Sequence, residues 1–128
     1  MKILVVDDMA VMRKIIKKVL VSLGYENLVE ADDGVPAWEL LNEHHNKGEP
    51  FEFVVSDWNM PNMTGLDLLK KVRADEKFKS LPFLMVTAEG EKSNVVIAVK
   101  AGVSNFIVKP FNAETFKAKM DAVLQKVA

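Results

Sequence analysis

The chain begins with the run Ile3-Leu-Val-Val6, which leads directly into Asp7-Asp8, so that a continuous apolar segment of strand length ends at two carboxylates. Runs of this kind recur along the chain, and together they are Ile3–Val6, Leu28–Val29, Phe53–Val55, Phe83–Val86 and Phe106–Val108. Most of them are continuous rather than alternating, which is typical of parallel strands that are buried on both faces. The pattern therefore predicts five strands in a sheet that helices cover on both sides.

The segments between these runs carry apolar residues at helical spacing. In the first of them Met12, Ile16 and Val19 lie on one face, and Gly24 supplies a C-terminal stop. The other helices are predicted after Asp33-Gly34, over about Lys92–Ala101, and behind the capping residues Thr64 and Asn112. Strand and helix alternate five times, which predicts an α/β, doubly wound (βα)5 fold with a five-stranded parallel sheet. For this sheet we expect the flavodoxin-like order 2-1-3-4-5, one of the common orders of doubly wound folds.

Length, charge and composition limit the function. The 128 residues, 49% of them hydrophobic, fit one domain spanning 1–128 with no room for a second catalytic or DNA-binding domain. The net charge of −1 provides no basic surface for nucleic acid or an anionic membrane. The chain has no cysteine, and no apolar stretch approaches the roughly 18 residues of a membrane span. We therefore expect a cytoplasmic monomer without thiol chemistry that binds neither nucleic acid nor membrane.

Polar side chains follow four of the five predicted strands: Asp7-Asp8, then Asp57, Thr87 and Lys109. In the order 2-1-3-4-5, strands one and three lie roughly 5 Å apart, so the three carboxylates converge at the carboxyl edge of the sheet. Three anions at this distance require a cation, and oxygen ligands without a thiolate favour Mg²⁺. The extended stem of Lys109 can largely cross the roughly 10 Å to Asp57. A carboxylate nucleophile flanked by a metal, a hydroxyl and an ammonium is suited to phosphoryl transfer.

Taken one at a time, these residues also have plain structural interpretations. An acidic pair after a strand can cap a helix, and a threonine or lysine at a strand end is usually turn chemistry or surface charge. Their joint placement at equivalent strand ends favours a functional site. His44 and His45 are adjacent on a helix end and lack a third ligand, so we predict them to be solvated rather than metal-bound.

The segment Val95–Val99 is apolar on more faces than one packed helix needs. It indicates either an exposed surface for a partner or a deeper burial, and the sequence leaves both open.

Four segments together resemble response-regulator receiver domains over essentially the whole chain, and most of all the chemotaxis regulators of that family. They are Val5–Asp8, Ser56–Met63 with the following Gly65, Leu84–Glu89 and Val108–Phe111. The resemblance implies that Asp57 is the phosphoacceptor, and that no cofactor other than Mg²⁺ is bound. It implies direct Mg²⁺ ligation by Asp8, Asp57 and the backbone carbonyl of Asn59, with Asp7 acting through a metal-bound water. Thr87 and Lys109 would hold the phosphoryl oxygens, and the bond between Lys109 and Pro110 would be cis.

The resemblance also implies a switch and a route of dephosphorylation. Phosphorylation of Asp57 would draw Thr87 inward, and Phe106 would then change rotamer and remodel the surface of the fourth helix, fifth strand and fifth helix. The chemotaxis regulator carries tyrosine where this chain has Phe106, so a hydroxyl is missing. Asn59 and Glu89 would tune hydrolysis of the phosphoryl bond.

The partners that the resemblance implies are a CheA-like histidine kinase, a flagellar motor switch protein and a phosphatase. The chain would be a signalling protein that catalyses its own phosphorylation and dephosphorylation, rather than an enzyme acting on other substrates. One alternative is a phosphorelay intermediate or stand-alone receiver outside chemotaxis. A Mg²⁺-dependent aspartyl phosphatase is less favoured, because such enzymes typically need a second carboxylate where this chain has Asn59. A dinucleotide-binding module ranks last, since no G-x-G-x-x-G follows the first strand.

Overall fold

Five strands alternate with five helices in the computed structural model, which describes residues 1–88 and 92–127. Their bounds are β1 Lys2–Val6, α1 Ala10–Ser22, β2 Asn27–Ala31, α2 Gly34–Asn46, β3 Phe53–Asp57, α3 Gly65–Ala74, β4 Phe83–Ala88, α4 Lys92–Lys100, β5 Asn105–Lys109 and α5 Ala113–Val127. Within the described ranges, no helix combines the length and the apolar character needed to cross a membrane.

All strand pairs of the sheet are parallel, and the order is β2-β1-β3-β4-β5. The predicted fold and strand order are therefore confirmed. The register pairs Val6 with Ser56, Asp57 with Val86, and Ala88 with Lys109. Because the strands share one direction, the residues that end β1, β3, β4 and β5 meet at a single edge of the sheet.

The core consists of two apolar layers, one on each face of the sheet. In β1, Leu4 and Val6 point into one layer, while Ile3 and Val5 point into the other. Helices α2 and α3 close the first layer, and α1 and α5 close the second, with the largest helix contributions from Leu41, Leu68, Leu69, Ile16, Leu20, Phe116 and Met120. Burial on both faces is the reason that the inner strands read as continuous apolar runs.

Three helix ends follow the predicted capping chemistry. After α1, Gly24 adopts a φ of 96°, a left-handed conformation that glycine reaches without steric cost. Thr64 and Asp67 form a reciprocal capping box at the start of α3. The Thr115 N–H donates to Asn112 Oδ1 over 2.8 Å at the start of α5.

The prediction that His44 and His45 are solvated is wrong. Both side chains are half-buried, with the His44 ring centroid 4.7 Å from that of Phe51 and the His45 centroid 5.6 Å from that of Phe78. The two phenylalanines come from segments outside α2 and cover the last turn of this helix. Helical periodicity within α2 carries no information about such neighbours.

Candidate functional site

Three carboxylates converge at the carboxyl edge of the sheet, as predicted. Asp7, Asp8 and Asp57, hereafter the acidic cluster, each offer an oxygen atom, and these atoms lie within 4.8 Å of one another. The pairing of β1 with β3 brings them together, because Asp7 follows Val6 and Asp57 follows Ser56 in adjacent strands. Asp7 and Asp57 are buried, while Asp8 is exposed at the mouth of the pocket.

The Lys109 ammonium reaches the acidic cluster from β5. Its Nζ lies 2.9 Å from Asp57 Oδ1, to which it donates a hydrogen bond, and 3.9 Å from Asp7 Oδ2. The stem of Lys109 thus crosses the space above β4, as expected from the sequence. The peptide bond between Lys109 and Pro110 is cis, as the resemblance implied.

Thr87 lies near the end of β4, between the strands that carry Asp57 and Lys109. It is buried, and its Oγ1 has no hydrogen-bond partner among the described residues. Asp7 Oδ2 is the other buried side-chain oxygen without such a partner in the described ranges. Buried polar atoms are normally hydrogen-bonded, so two buried oxygens without a hydrogen-bond partner in the described part of the chain, both at the carboxyl edge of the sheet, indicate a ligand-binding site.

Burial shapes the electrostatics of the acidic cluster. It raises the pKa of Asp7 to about 6, against the opposing effect of the Met9 N–H that donates to this carboxylate. The negative charge of Asp57 raises the pKa of Asp7 further. Burial also raises the pKa of Asp57, although the hydrogen bond and charge of Lys109 oppose the shift. The pocket is therefore short of positive charge, and a divalent cation would relieve the deficit.

The donor set fits Mg²⁺. The candidate ligands are carboxylate oxygens, and a cavity of about 310 Å³ opens beside them, lined by Asp8, Asn59, Met60, Pro61 and Thr64. Mg²⁺ prefers hard oxygen ligands and keeps several waters, which this open side of the cluster has room for. Asn59 is exposed and borders the cavity, while Glu89 lies outside the described residues.

Two residues that bind backbone groups near the cluster were not singled out as functional in the sequence. Arg13 Nη1 donates to the backbone carbonyl of Asp7 over 2.6 Å, while its Nε donates to Glu30 over 3.1 Å. Asp33 appeared only as a residue preceding a helix, yet its buried carboxylate accepts three backbone N–H groups. The Asp-Gly pair before α2 was the one available signal for Asp33.

The surface beyond β4 contains the predicted switch residue and the apolar helix. The Phe106 ring is half-buried in β5, and the Lys119 ammonium lies 4.9 Å from its centroid. In α4, Val96 and Val99 are 55% and 59% exposed, whereas Ala98 is buried. This exposure favours the interpretation of α4 as a partner surface over the alternative of deeper burial.

The chain is thus a doubly wound α/β protein whose carboxylates, buried threonine and lysine meet at the carboxyl edge of its parallel sheet. The profile of the response regulator receiver domain family matches residues 3–121, and the chain belongs to this family.

Named relatives agree with this assignment. The chain is 52% identical over 124 residues to chemotaxis protein CheY1 of Helicobacter pylori, covering 97% of both chains. It is 51% identical to a chemotaxis protein CheY homolog of Campylobacter jejuni, covering 97% of this chain and 92% of the relative. Among solved structures, a putative response regulator from Chloroflexus aurantiacus superposes with a TM-score of 0.86 at 29% identity, covering 97% of each chain. The chemotaxis response regulator CheY4 of Vibrio cholerae gives 0.81 at 34% identity, covering 95% of this chain and 97% of CheY4.

Proposed function

We propose that the chain, over residues 1–128, is a single-domain chemotaxis response regulator that accepts a phosphoryl group from a histidine kinase on Asp57. The observation that carries the proposal is the Asp57 carboxylate itself, which shares a pocket with Asp7 and Asp8 and receives the Lys109 ammonium at 2.9 Å. The names of the relatives supply the pathway, since they are chemotaxis proteins at about half identity over nearly the whole chain. We place the protein in the cytoplasm, as a monomer.

In the proposed reaction, an Asp57 carboxylate oxygen attacks the phosphorus of a phosphohistidine, and the phosphorus–nitrogen bond breaks. The electron pair of that bond stays on the imidazole nitrogen, and Asp57 becomes an acyl phosphate. The Lys109 ammonium and the Thr87 hydroxyl, which has no partner in the described chain, donate to the phosphoryl oxygens. Mg²⁺, held by Asp8, Asp57 and the Asn59 carbonyl with Asp7 acting through a water, would neutralise charge on those oxygens.

The same pocket would return the protein to its resting state. Water hydrolyses the acyl phosphate, and Asn59, which borders the pocket mouth, tunes the access of that water together with Glu89. The protein is therefore a signalling protein that catalyses both its own phosphorylation and its own dephosphorylation. A separate phosphatase can accelerate the second step.

The output of the switch is protein binding. A phosphoryl group on Asp57 recruits the Thr87 hydroxyl, and the space that Thr87 leaves lets the Phe106 ring move inward from its half-buried position. The Lys119 ammonium of α5 lies 4.9 Å from the centroid of the Phe106 ring, so a movement of the ring would change the surface beside α5. The exposed valines of α4 would then dock to the flagellar motor switch protein.

The test is phosphorylation by a small phosphodonor such as acetyl phosphate with Mg²⁺, followed by intact mass spectrometry. Wild-type protein should gain one phosphoryl group that hydroxylamine removes, as expected for an acyl phosphate. Asp57→Asn should gain none, whereas Asp32→Asn, which changes an exposed aspartate outside the cluster, should be labelled like the wild type. Hydroxylamine-labile labelling of Asp57→Asn would refute the proposal.

A further inference from the structure

The loop between β3 and α3, residues 58–64 and hereafter the β3–α3 loop, is fastened to the start of α2 by one carboxylate. Asp33 Oδ1 accepts hydrogen bonds from the Met63 N–H at 2.9 Å and the Val35 N–H at 3.2 Å. Asp33 Oδ2 accepts from the Asn62 N–H at 3.1 Å. Two of the three donors thus belong to the loop, and the side chain that binds them is buried, with 4% exposure for the residue.

A second contact fixes the same end of the loop. The Gly34 N–H donates to the Met63 carbonyl over 3.3 Å, so the backbones of α2 and the loop are hydrogen-bonded directly. A Cβ atom on Gly34 would lie 2.6 Å from the Met63 oxygen, which is closer than real Cβ contacts allow. The close approach of the two segments therefore depends on a residue without a side chain.

The other end of the loop is fixed to the sheet. The Trp58 N–H donates to the Val86 carbonyl over 3.1 Å, and the Gly65 N–H donates to the Trp58 carbonyl over 2.9 Å. Asn59 lies between the two fixed ends and borders the cavity beside Asp8. The position of the Asn59 backbone is therefore set by the sheet on one side and by Asp33 on the other.

We propose that Asp33 is a positioning residue of the metal site, which holds the β3–α3 loop so that the Asn59 carbonyl faces the acidic cluster. The proposal rests on the proposed function, because that function assigns the Asn59 carbonyl to Mg²⁺. Outer residues that orient the ligands of a metal typically change its affinity by 10- to 100-fold when they are mutated.

The negative charge of Asp33 is needed to bind the loop and is not needed to cap the helix. Burial acts to raise the pKa of Asp33, but the N–H groups of Asn62, Val35 and Met63 together bring it below its ordinary value, so the carboxylate is ionised. Asparagine caps helices about as well as aspartate. An ionised carboxylate, however, accepts through both oxygens, whereas an amide accepts through one. In either orientation of the amide, Asp33→Asn leaves at least one backbone N–H without its acceptor.

The experiment is a Mg²⁺ titration that is followed by tryptophan fluorescence and by calorimetry. Asp33→Asn should need roughly 10-fold more Mg²⁺ for half-saturation. Asp32→Asn is the matched control, because it removes the same charge from the adjacent, exposed residue, and its half-saturation should stay close to the wild-type value. In metal-free protein, hydrogen exchange of the β3–α3 loop should be faster in Asp33→Asn than in the control.

Phosphorylation separates positioning from a general loss of structure. At saturating Mg²⁺ the rate at which Asp33→Asn is phosphorylated should return toward the wild-type rate, since the metal then holds the loop. Gly34→Ala is a second variant, which keeps the carboxylate but pushes on Met63, and it should weaken Mg²⁺ uptake in the same direction.

Equal Mg²⁺ half-saturation in Asp33→Asn and the wild type would overturn the role of Asp33 and leave the proposed function intact. A wild-type protein that takes up no Mg²⁺ would instead overturn the proposed function, and the role of Asp33 with it. Should Asp33→Asn fail to fold, wild-type half-saturation in Gly34→Ala would overturn the positioning role.

Discussion

Lys109 contacts both buried carboxylates of the acidic cluster, and this gives it two opposing effects. Its ammonium lies 2.9 Å from Asp57 and 3.9 Å from Asp7, so in the resting protein it offsets part of their charge. It therefore competes with a divalent cation for the same anions. Once a phosphoryl group is present, the same ammonium becomes a donor to the phosphoryl oxygens.

Replacement of Lys109 by methionine should separate these effects. We expect Lys109→Met to bind Mg²⁺ at least as tightly as the wild type, because a repelling cation is removed. Phosphorylation should slow by about 100-fold, the typical cost of losing one donor to a developing oxyanion. Fluorescence titration and acetyl phosphate labelling measure the two quantities, and a parallel loss of both would contradict the assigned role.

The raised pKa of Asp7 makes the stability of the metal-free protein depend on pH. Burial raises the pKa of Asp7 to about 6, above the ordinary value of about 3.9 that applies in the unfolded chain. The folded state thus binds the proton more tightly, so this contribution to stability is fully present below about pH 4 and is lost as the pH rises through about 6. Its size is on the order of 1–3 kcal/mol.

Urea unfolding in the presence of a chelator checks this dependence. Between about pH 5 and pH 8, Asp7→Asn should lose less unfolding free energy than the wild type, because asparagine does not titrate. At about pH 8 the variant should be the more stable of the two when no metal is present. Identical pH profiles for the two proteins would show that Asp7 does not titrate in this range.

The convergence of Asp7, Asp8, Asp57 and Lys109 was predictable from the sequence, because each of them lies within two positions of the end of an apolar run. Asp33 was not, because its partners are backbone N–H groups of a loop about 30 positions away. Any short polar side chain before a helix looks like a cap. The contact of Asp33 with the loop is visible only in the folded structure.

At the scale of elements, α4 presents an apolar surface that the core does not use. Val96 and Val99 should contribute little to stability, since they are more than half exposed. We expect the double variant Val96→Ser with Val99→Ser to change the unfolding free energy by only about 0.5 kcal/mol per site. Its binding to the flagellar motor switch protein, after activation with beryllofluoride, should nevertheless be lost.

The control for this experiment is Val21→Ser, which changes a valine of similar exposure, 53%, on α1. It should bind the motor switch protein like the wild type. Pull-down and chemical denaturation provide the two measurements. Undiminished capture by the α4 double variant would place the binding surface elsewhere on the molecule.

The strands were predicted with the correct centres but with short ends. The run Leu28–Val29 lies within β2, which extends over Asn27–Ala31 at the half-exposed edge of the sheet. The apolar runs also stop before the polar residues Asp57, Thr87 and Lys109. These residues belong to β3, β4 and β5 and do not lie in the loops that follow the strands. Consequently the sheet hydrogen bonds, rather than a loop, fix these functional side chains.

Considered as a whole, the molecule brings distant parts of the sequence to one edge of the sheet. The order β2-β1-β3-β4-β5 is the feature that makes residues from positions 7 to 109 neighbours. The alternation of strands and helices with right-handed crossovers predicts a doubly wound parallel sheet, and 2-1-3-4-5 is one of the common strand orders of such sheets. The distances within the pocket were not predictable, because they depend on strand register and on how far each side chain extends.

The central claim is that the phosphoryl group is attached to Asp57 and to no other carboxylate of the acidic cluster. Borohydride reduces an acyl phosphate to an alcohol, so the modified residue can be located by tandem mass spectrometry of the digested protein. After phosphorylation with Mg²⁺, residue 57 should be recovered as homoserine, while Asp7 and Asp8 remain aspartate. Homoserine at position 7 or 8, or at no position in fully labelled protein, would contradict the account.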